Sequence, residues 1–337
     1  MIHDAPLPQT VSGLRDNKDM NATTMTRGPD ELMAGDSHDE TVALLALLSD
    51  TPKHMTWADI AGEVRFAGSA VQVLQGVIGS QGALLPDPRS RTAIELAESD
   101  LTAWVDAGLD LVTVLSDRYP VLLAGVFDCP PFLFVRGTVL PDDRGMSVVG
   151  SRHCTPEGQA MARDAAKLLV ERGLTVIAGL AEGIDSAAHR EALAMGARTV
   201  AIIGTGIRQY YPAANRCLQE EIAEKGLVIS QFYPDQPPTK QTFPMRNGTM
   251  SGYGLATIVV EAGENSGGRI QARKAADHGR PVVLSSHVVQ STTWGAAMAG
   301  NPWVHVVSSR AEVARAIDEI CSDNSDALLC DLGLAAP

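Results

Sequence analysis

No run of about 18 apolar residues occurs in the 337-residue chain, so no segment is offered to a membrane. Residues 1–40 are polar and acidic where a signal peptide needs an apolar stretch, and a cytoplasmic protein is expected. Five cysteines (Cys129, Cys154, Cys217, Cys321 and Cys330) are scattered without C-x-x-C spacing, which excludes a disulfide framework and a cysteine zinc site. The eight histidines show no H-E-x-x-H or other ligand spacing. A P-loop is missing because no Gly-Lys-Ser/Thr follows a glycine turn. Gly204-Thr-Gly206 opens like a dinucleotide fingerprint, but Gln209 stands where its third glycine belongs. Neither a metal, a cofactor nor a catalytic residue is expected on these grounds.

What is present is a divided charge. The chain carries a net charge of −13, with 10 basic and 21 acidic residues up to Gly145, 16 and 13 from Met146 to Arg310, and 1 and 6 beyond. A mildly basic centre between acidic flanks suits a local anion site and argues against broad attraction to duplex DNA.

The pattern divides the chain into five parts. Residues 1–40, with 3 basic and 8 acidic side chains and no periodicity, are expected to form a disordered acidic tail. A small helical domain is expected over 41–100: a buried helix from Thr41, a second opened by a capping-box-like Thr56/Asp59 pair, and a third near Ser69 to Ile78. The last two could make a DNA-reading helix-turn-helix, yet Ala67 to Gln75 has no Lys or Arg, which favours a structural module. Residues 101–145 read as a connector leading into the core, with extended pieces at Leu111 to Val114 and Phe132 to Val135. From 146 to 310 apolar strands alternate with helices, the pattern of an α/β fold whose mostly parallel sheet is covered on both faces. A C-terminal helix and tail fill 311–337.

In such a sheet ligands bind beyond the carboxyl ends of the strands. Four polar, glycine-rich clusters fall there: Gly150-Ser151-Arg152, Gly179 to Asp185 with Gly183, Gly204 to Arg208, and Glu261 to Arg269 with Ser266 and Gly267. Glycine turns leading into helices aim backbone NH groups at anions, and Arg152 adds a planar donor fork suited to phosphate. Lys240-Gln-Thr-Phe-Pro-Met-Arg-Asn247 follows a proline-broken loop and joins two cations to an aromatic, as a single nucleic-acid strand requires. Packing of Phe243 and Pro244, with Arg246 paired to an acid, would explain the same stretch without a ligand; Arg152 on the same rim favours binding. His189 and Asp185, one turn apart, read as structural hydrogen-bonding groups. Glu261 and Glu264 could act as a base, but Glu264 more simply complements the helix opening near Gly267.

From about Val105 to Ser309 the chain resembles the DprA/Smf family of DNA-processing proteins. The resemblance rests on Asp117-Arg-Tyr-Pro, Pro130 to Gly137, Val148 to Arg152, Ala178 to His189, Gly204-Thr-Gly with Tyr211 to Arg216, Phe243 to Asn247, and Val259-Val-Glu-Ala262 with Ser266-Gly. It implies a Rossmann-like core, preceded by a small helical domain, that binds single-stranded DNA. It also implies loading of the RecA recombinase during natural transformation, and a homodimer. The family roles fall here on Gly150, Ser151, Arg152, Lys240, Phe243, Arg246 and Asn247. The chain departs from the family at Gly248 to Gly254 and Gly268 to Gln271, where Arg269 adds a cation suited to a phosphate. The same core resembles the superfamily of the LOG phosphoribohydrolases, which implies a nucleotide sensor or hydrolase as the alternative; their Pro-Gly-Gly-x-Gly-Thr-x-x-Glu motif is missing from Glu261 to Gly268.

Overall fold

A computed structural model describes residues 37–52, 55–80 and 88–331. The expected tail lies outside the described residues up to 36; its last residues are ordered. Ser37 caps α1 (His38–Ser49), and Glu40 accepts hydrogen bonds from Ser69 Oγ and Val71 N at the start of α3 (Ala70–Ser80). A carboxylate there completes the free donors of a helix N-terminus, so α3 is tied back to α1. Between them α2 (Trp57–Ala67) starts with the expected box: Asp59 N donates to Thr56 Oγ1 at 3.2 Å, and Thr56 N to Asp59 at 2.7 Å. α4 (Pro88–Asp106) completes the module.

The core is one nine-stranded sheet ordered β1-β2-β6-β5-β4-β3-β7-β8-β9. β1 (Asp110–Thr113) and β2 (Phe132–Gly137) come from the stretch read as a connector; they pair antiparallel with each other, and β2 pairs antiparallel with β6 (Leu227–Ser230). The remaining strands, β3 (Gly145–Val149), β4 (Thr175–Ala178), β5 (Thr199–Ile202), β7 (Ala256–Val259), β8 (Val282–Ser285) and β9 (Val304–Val307), are parallel to their neighbours. β3 lies between β4 and β7, with Met146 opposite Ala256 and Val149 opposite Val259. The chain therefore winds outward from β3 on one side, returns, and winds outward on the other. That reversal is a topological switch point, where open α/β sheets bind ligands.

Because both faces are covered, the strands are continuous apolar runs. Met146 and Val148 join Ala162, Leu169, Ala188 and Ile317 on one face, under α6 (Pro156–Val170), α7 (Ile184–Ala194) and α13 (Arg310–Asp331). Val149 and Ile177 join Met250, Tyr253 and Ala272 on the other, under α9 (Thr242–Tyr253) and α10 (Gly267–Asp277). α5 (Val121–Ala124), α8 (Arg216–Lys225) and the short α11 (Ser286–Ser291) and α12 (Thr293–Met298) complete the layers.

The helical module docks on this core through aromatic rings. Trp57 lies 5.6 Å from Phe132 and 5.7 Å from Tyr233, and Trp104 lies 5.0 Å from Phe134, centroid to centroid. Trp104 is buried and Trp57 half-buried in this contact, which supports the structural reading of the module. No helix among the described residues is long and apolar enough to cross a membrane.

Candidate functional site

Sequence reading took Lys240 to Asn247 as an open cationic segment; from Thr242 onward it is the start of α9. Pro244 falls in the first helical turn, where its missing NH costs nothing. Residues Arg246 to Tyr253 are buried, so tertiary packing makes a helix of a Gly, Ser and Thr-rich run. The consequence is that Arg246 and Asn247 point into the protein, only 5% and 6% exposed, while Phe243 is half-buried and Lys240 exposed.

The loops beyond β3, β4 and β5, the start of α9 and the start of α10 enclose two joined cavities of about 170 and 380 Å³, which share Arg152, Ala181, Phe243 and Arg246. Arg152 stands exposed on the rim with its guanidinium carbon 5.3 Å from the centre of the Phe243 ring. Tyr211 continues the aromatic wall, 5.6 Å from Phe243. A cation stacked on an aromatic face is a pair that offers a strand both a phosphate partner and a base platform.

The turn that presents Arg152 is held from two directions. Ser151 N donates to Glu261 O at 2.7 Å, and its hydroxyl accepts from His153 N at 3.2 Å. Against it lies Gly183, with φ of 78°, where a Cβ would sit 2.3 Å from Ser151 O. Only glycine reconciles that left-handed backbone with the close approach.

Beneath the rim is a buried charge cluster. Arg246 Nη1 donates to Ile202 O at 2.8 Å, its Nε has no hydrogen-bond partner among the described residues, and the guanidinium lines both cavities. Gly179 makes room for it: a Cβ there would lie 1.5 Å from Arg246 Nη1. Asp185 accepts from Gly179 N at 3.0 Å and Ala181 N at 3.4 Å. Burial raises its pKa against the opposing effect of Arg246 and these two amides. Burial likewise draws the Arg246 pKa down, and Asp185 opposes that. Arg152 adds a second positive charge to the cluster, which makes a charge-assisted bond to an entering anion favourable.

Of the residues singled out in the sequence, the cleft gathers Gly150, Ser151, Arg152, Gly179, Phe243, Arg246, Asn247, Ser266 and Gly267. Gly183 lies behind it, Arg269 borders a neighbouring groove, and Lys240 is outside both linings. Sequence reading missed Tyr211 and Gln271 as lining residues. Gln271 stands one turn after Gly267 on α10, a spacing that marks a shared face; it is 1% exposed, with no hydrogen-bond partner for Oε1 among the described residues.

The acidic residues resolve differently from expectation. Glu264 accepts from Thr293 N at 2.9 Å and so complements the start of α12, not that of α10, whose N-cap is Ser266. The two differ because the chain folds back after β8, beyond the reach of local pattern. Glu261 accepts from Thr155 Oγ1 at 2.6 Å and Thr155 N at 3.1 Å, at the start of α6. His189 bonds through Nδ1 to Thr199 Oγ1 at 2.7 Å, a structural hydrogen bond, and Asp185 turns to the amides instead.

An aromatic-walled cleft lined by arginines at the switch point of a doubly wound sheet defines a Rossmann-like protein with a cationic cleft. Residues 110–324 match the model of the DNA recombination-mediator protein A family, and the chain belongs to that family. It is 40% identical over 173 residues to DNA processing protein DprA of Streptococcus pneumoniae, covering 50% of this chain and 60% of the relative. It is 33% identical over 184 residues to the Bacillus subtilis DprA, covering 54% and 62%. The match therefore spans about six-tenths of these relatives. The crystal structure of the Streptococcus pneumoniae protein superposes with a TM-score of 0.58 at 27% identity, covering 81% of this chain and 92% of that one. A Helicobacter pylori DprA, described for its single-stranded DNA binding mode, shares the fold with a TM-score of 0.55 at 22% identity, covering 62% and 96%.

Proposed function

We propose that this chain binds single-stranded DNA in the cleft and acts as a recombination mediator that delivers the strand to a RecA recombinase, as a homodimer. The observation that carries the reading is the Arg152–Phe243 pair over buried Arg246: an exposed cation for phosphate, a ring for a base, and a second guanidinium below. Such contacts position a strand without reading its sequence. Family membership and the strand binding described for the Helicobacter pylori relative support it. Glycine turns, Ser151 and Asn247 shape the site, Ser266 and Gly267 close its far end, and Lys240 lies on the exposed approach to α9.

The test is fluorescence anisotropy of labelled oligothymidine at low and moderate salt, with duplex and free mononucleotide as competitors. Salt-sensitive binding that prefers the single strand supports the reading, and RecA nucleation on the bound strand is then measured with and without the chain. Absence of strand binding, with a mononucleotide bound instead in a direct titration, would refute it in favour of a nucleotide sensor or hydrolase.

A further inference from the structure

The outer face of α10 carries Arg269, Ile270, Arg273, Lys274 and Asp277 along a groove of about 540 Å³. This groove shares Asn265 and Ser266 with the cleft, so the two are continuous. At the junction Ser266 Oγ is buried and has no hydrogen-bond partner among the described residues, a hydroxyl left for something that passes over it.

Arg269 and Arg273 are both exposed and one helical turn apart. Like charges at i and i+4 repel, and a solvated face ordinarily interleaves acids between them. Here neither guanidinium forms an ion pair with a carboxylate among the described residues; Arg269 donates to the Glu264 carbonyl, at 3.5 Å, and acts on the Glu264 carboxylate, itself held by Thr293, only at longer range. Arg172, Arg208 and Arg310, by contrast, each hold a carboxylate. Lys274 is also spoken for, at 2.7 Å from Asp128. Exposed Ile270 lies between the two arginines, and Asp277 closes the groove one turn beyond Arg273.

We propose that the bound strand leaves the cleft over Ser266 and continues along α10, where Arg269 and Arg273 form a second subsite for two backbone phosphates. The inference rests on the strand-binding reading above. The residues rise about 6 Å along the helix from one to the next, so one side chain serves each phosphate while Ile270 faces the sugar between them. Asp277 repels a further phosphate and ends the track.

The test compares oligothymidines from about 4 to about 16 nucleotides, the range of site sizes of single-strand-binding domains. The double variant Arg269→Gln/Arg273→Gln is expected to bind the shortest oligomers as wild type does. It should bind the longest about tenfold more weakly. Its slope of log Kobs against log salt should be shallower by about 1.4, about 0.7 for each lost contact. Arg269→Lys/Arg273→Lys keeps the charge and should restore the slope. Wild-type affinity and slope in the glutamine variant, with binding still weakened by Arg152→Ala, overturn the subsite and leave the cleft assignment standing. Absence of strand binding by the wild-type chain overturns both.

Discussion

Gly179→Ala tests the buried arginine at the centre of the site. The new methyl would lie 1.5 Å from Arg246 Nη1 and 2.3 Å from its guanidinium carbon, so the head group must leave. It is the end of a flexible side chain and lines both cavities, so the open direction is into the cleft. Moving there breaks the 2.8 Å bond to Ile202 O and takes positive charge from beside Asp185. A hydrogen bond to a charged group contributes roughly 1.5–3 kcal/mol, so the variant should lose about 2 kcal/mol of stability. The displaced guanidinium also occupies the space meant for the strand. Urea denaturation should show a lower midpoint with an unchanged m value, and anisotropy should show weakened oligothymidine binding. Wild-type stability and affinity together would refute the packing of Arg246 under Gly179 and its place in the site.

Three further outcomes are expected. His189 is buried, and burial holds its pKa down to about 3 against the ordinary 6.5, so the unfolded chain takes up its proton first. Its contribution is complete above pH 6.5 and falls as pH drops towards 3, by about 2 kcal/mol at pH 5; His189→Gln should flatten that part of the pH dependence in urea titrations at pH 7 and 5. Trp57→Ala removes ring contacts to Phe132 and Tyr233 and should cost about 3 kcal/mol in denaturant, with the salt slope of strand binding unchanged; a change in slope would reassign the module to the DNA interface. Phe243→Leu should narrow the preference for single strand over duplex by about 1–3 kcal/mol for each base it stacks, whereas Arg152→Ala should weaken binding to both in competition anisotropy.

Most of the sheet was legible because its strands are buried on both faces and appear as uninterrupted Val, Ile and Leu runs between polar turns. β4 and β6, Thr-Val-Ile-Ala and Leu-Val-Ile-Ser, are such runs, buried along their whole length. Thr56 and Asp59 likewise form a local device, visible at a spacing of three. What could not be read depends on distant partners. β1 and β2 looked like connector pieces because β2 enters the sheet by antiparallel pairing with the distant β6, and β1 joins only through β2. α9 carries no helical apolar stripe; its helix is selected by burial, with Gly252 close to Leu123 and Val126. For the same reason Arg246 was legible as a cation, either a ligand contact or the partner of an acid, while its depth of burial was not. Its proximity to Gly179 and Ile202 arises only when β4, β5 and α9 are assembled.

The charge distribution gives that burial a purpose. A chain of net charge −13 gains little from long-range attraction to a polyanion, and salt screens the little it gains beyond about 10 Å. Attraction must come from cations whose field is not screened, and Arg246 lies where the surrounding protein, not water, sets the dielectric. Its cost is met by Asp185, itself held by the Gly179 and Ala181 amides. Arg152 then needs only to bring a phosphate to the rim, and Phe243 admits the partner whose bases are free to stack. Duplex DNA presents the phosphates without the free base faces. On the proposed function, preference for a single strand is therefore expected from the aromatic wall, and the acidic flanks are expected to suppress the non-specific duplex binding that a uniformly basic surface would invite.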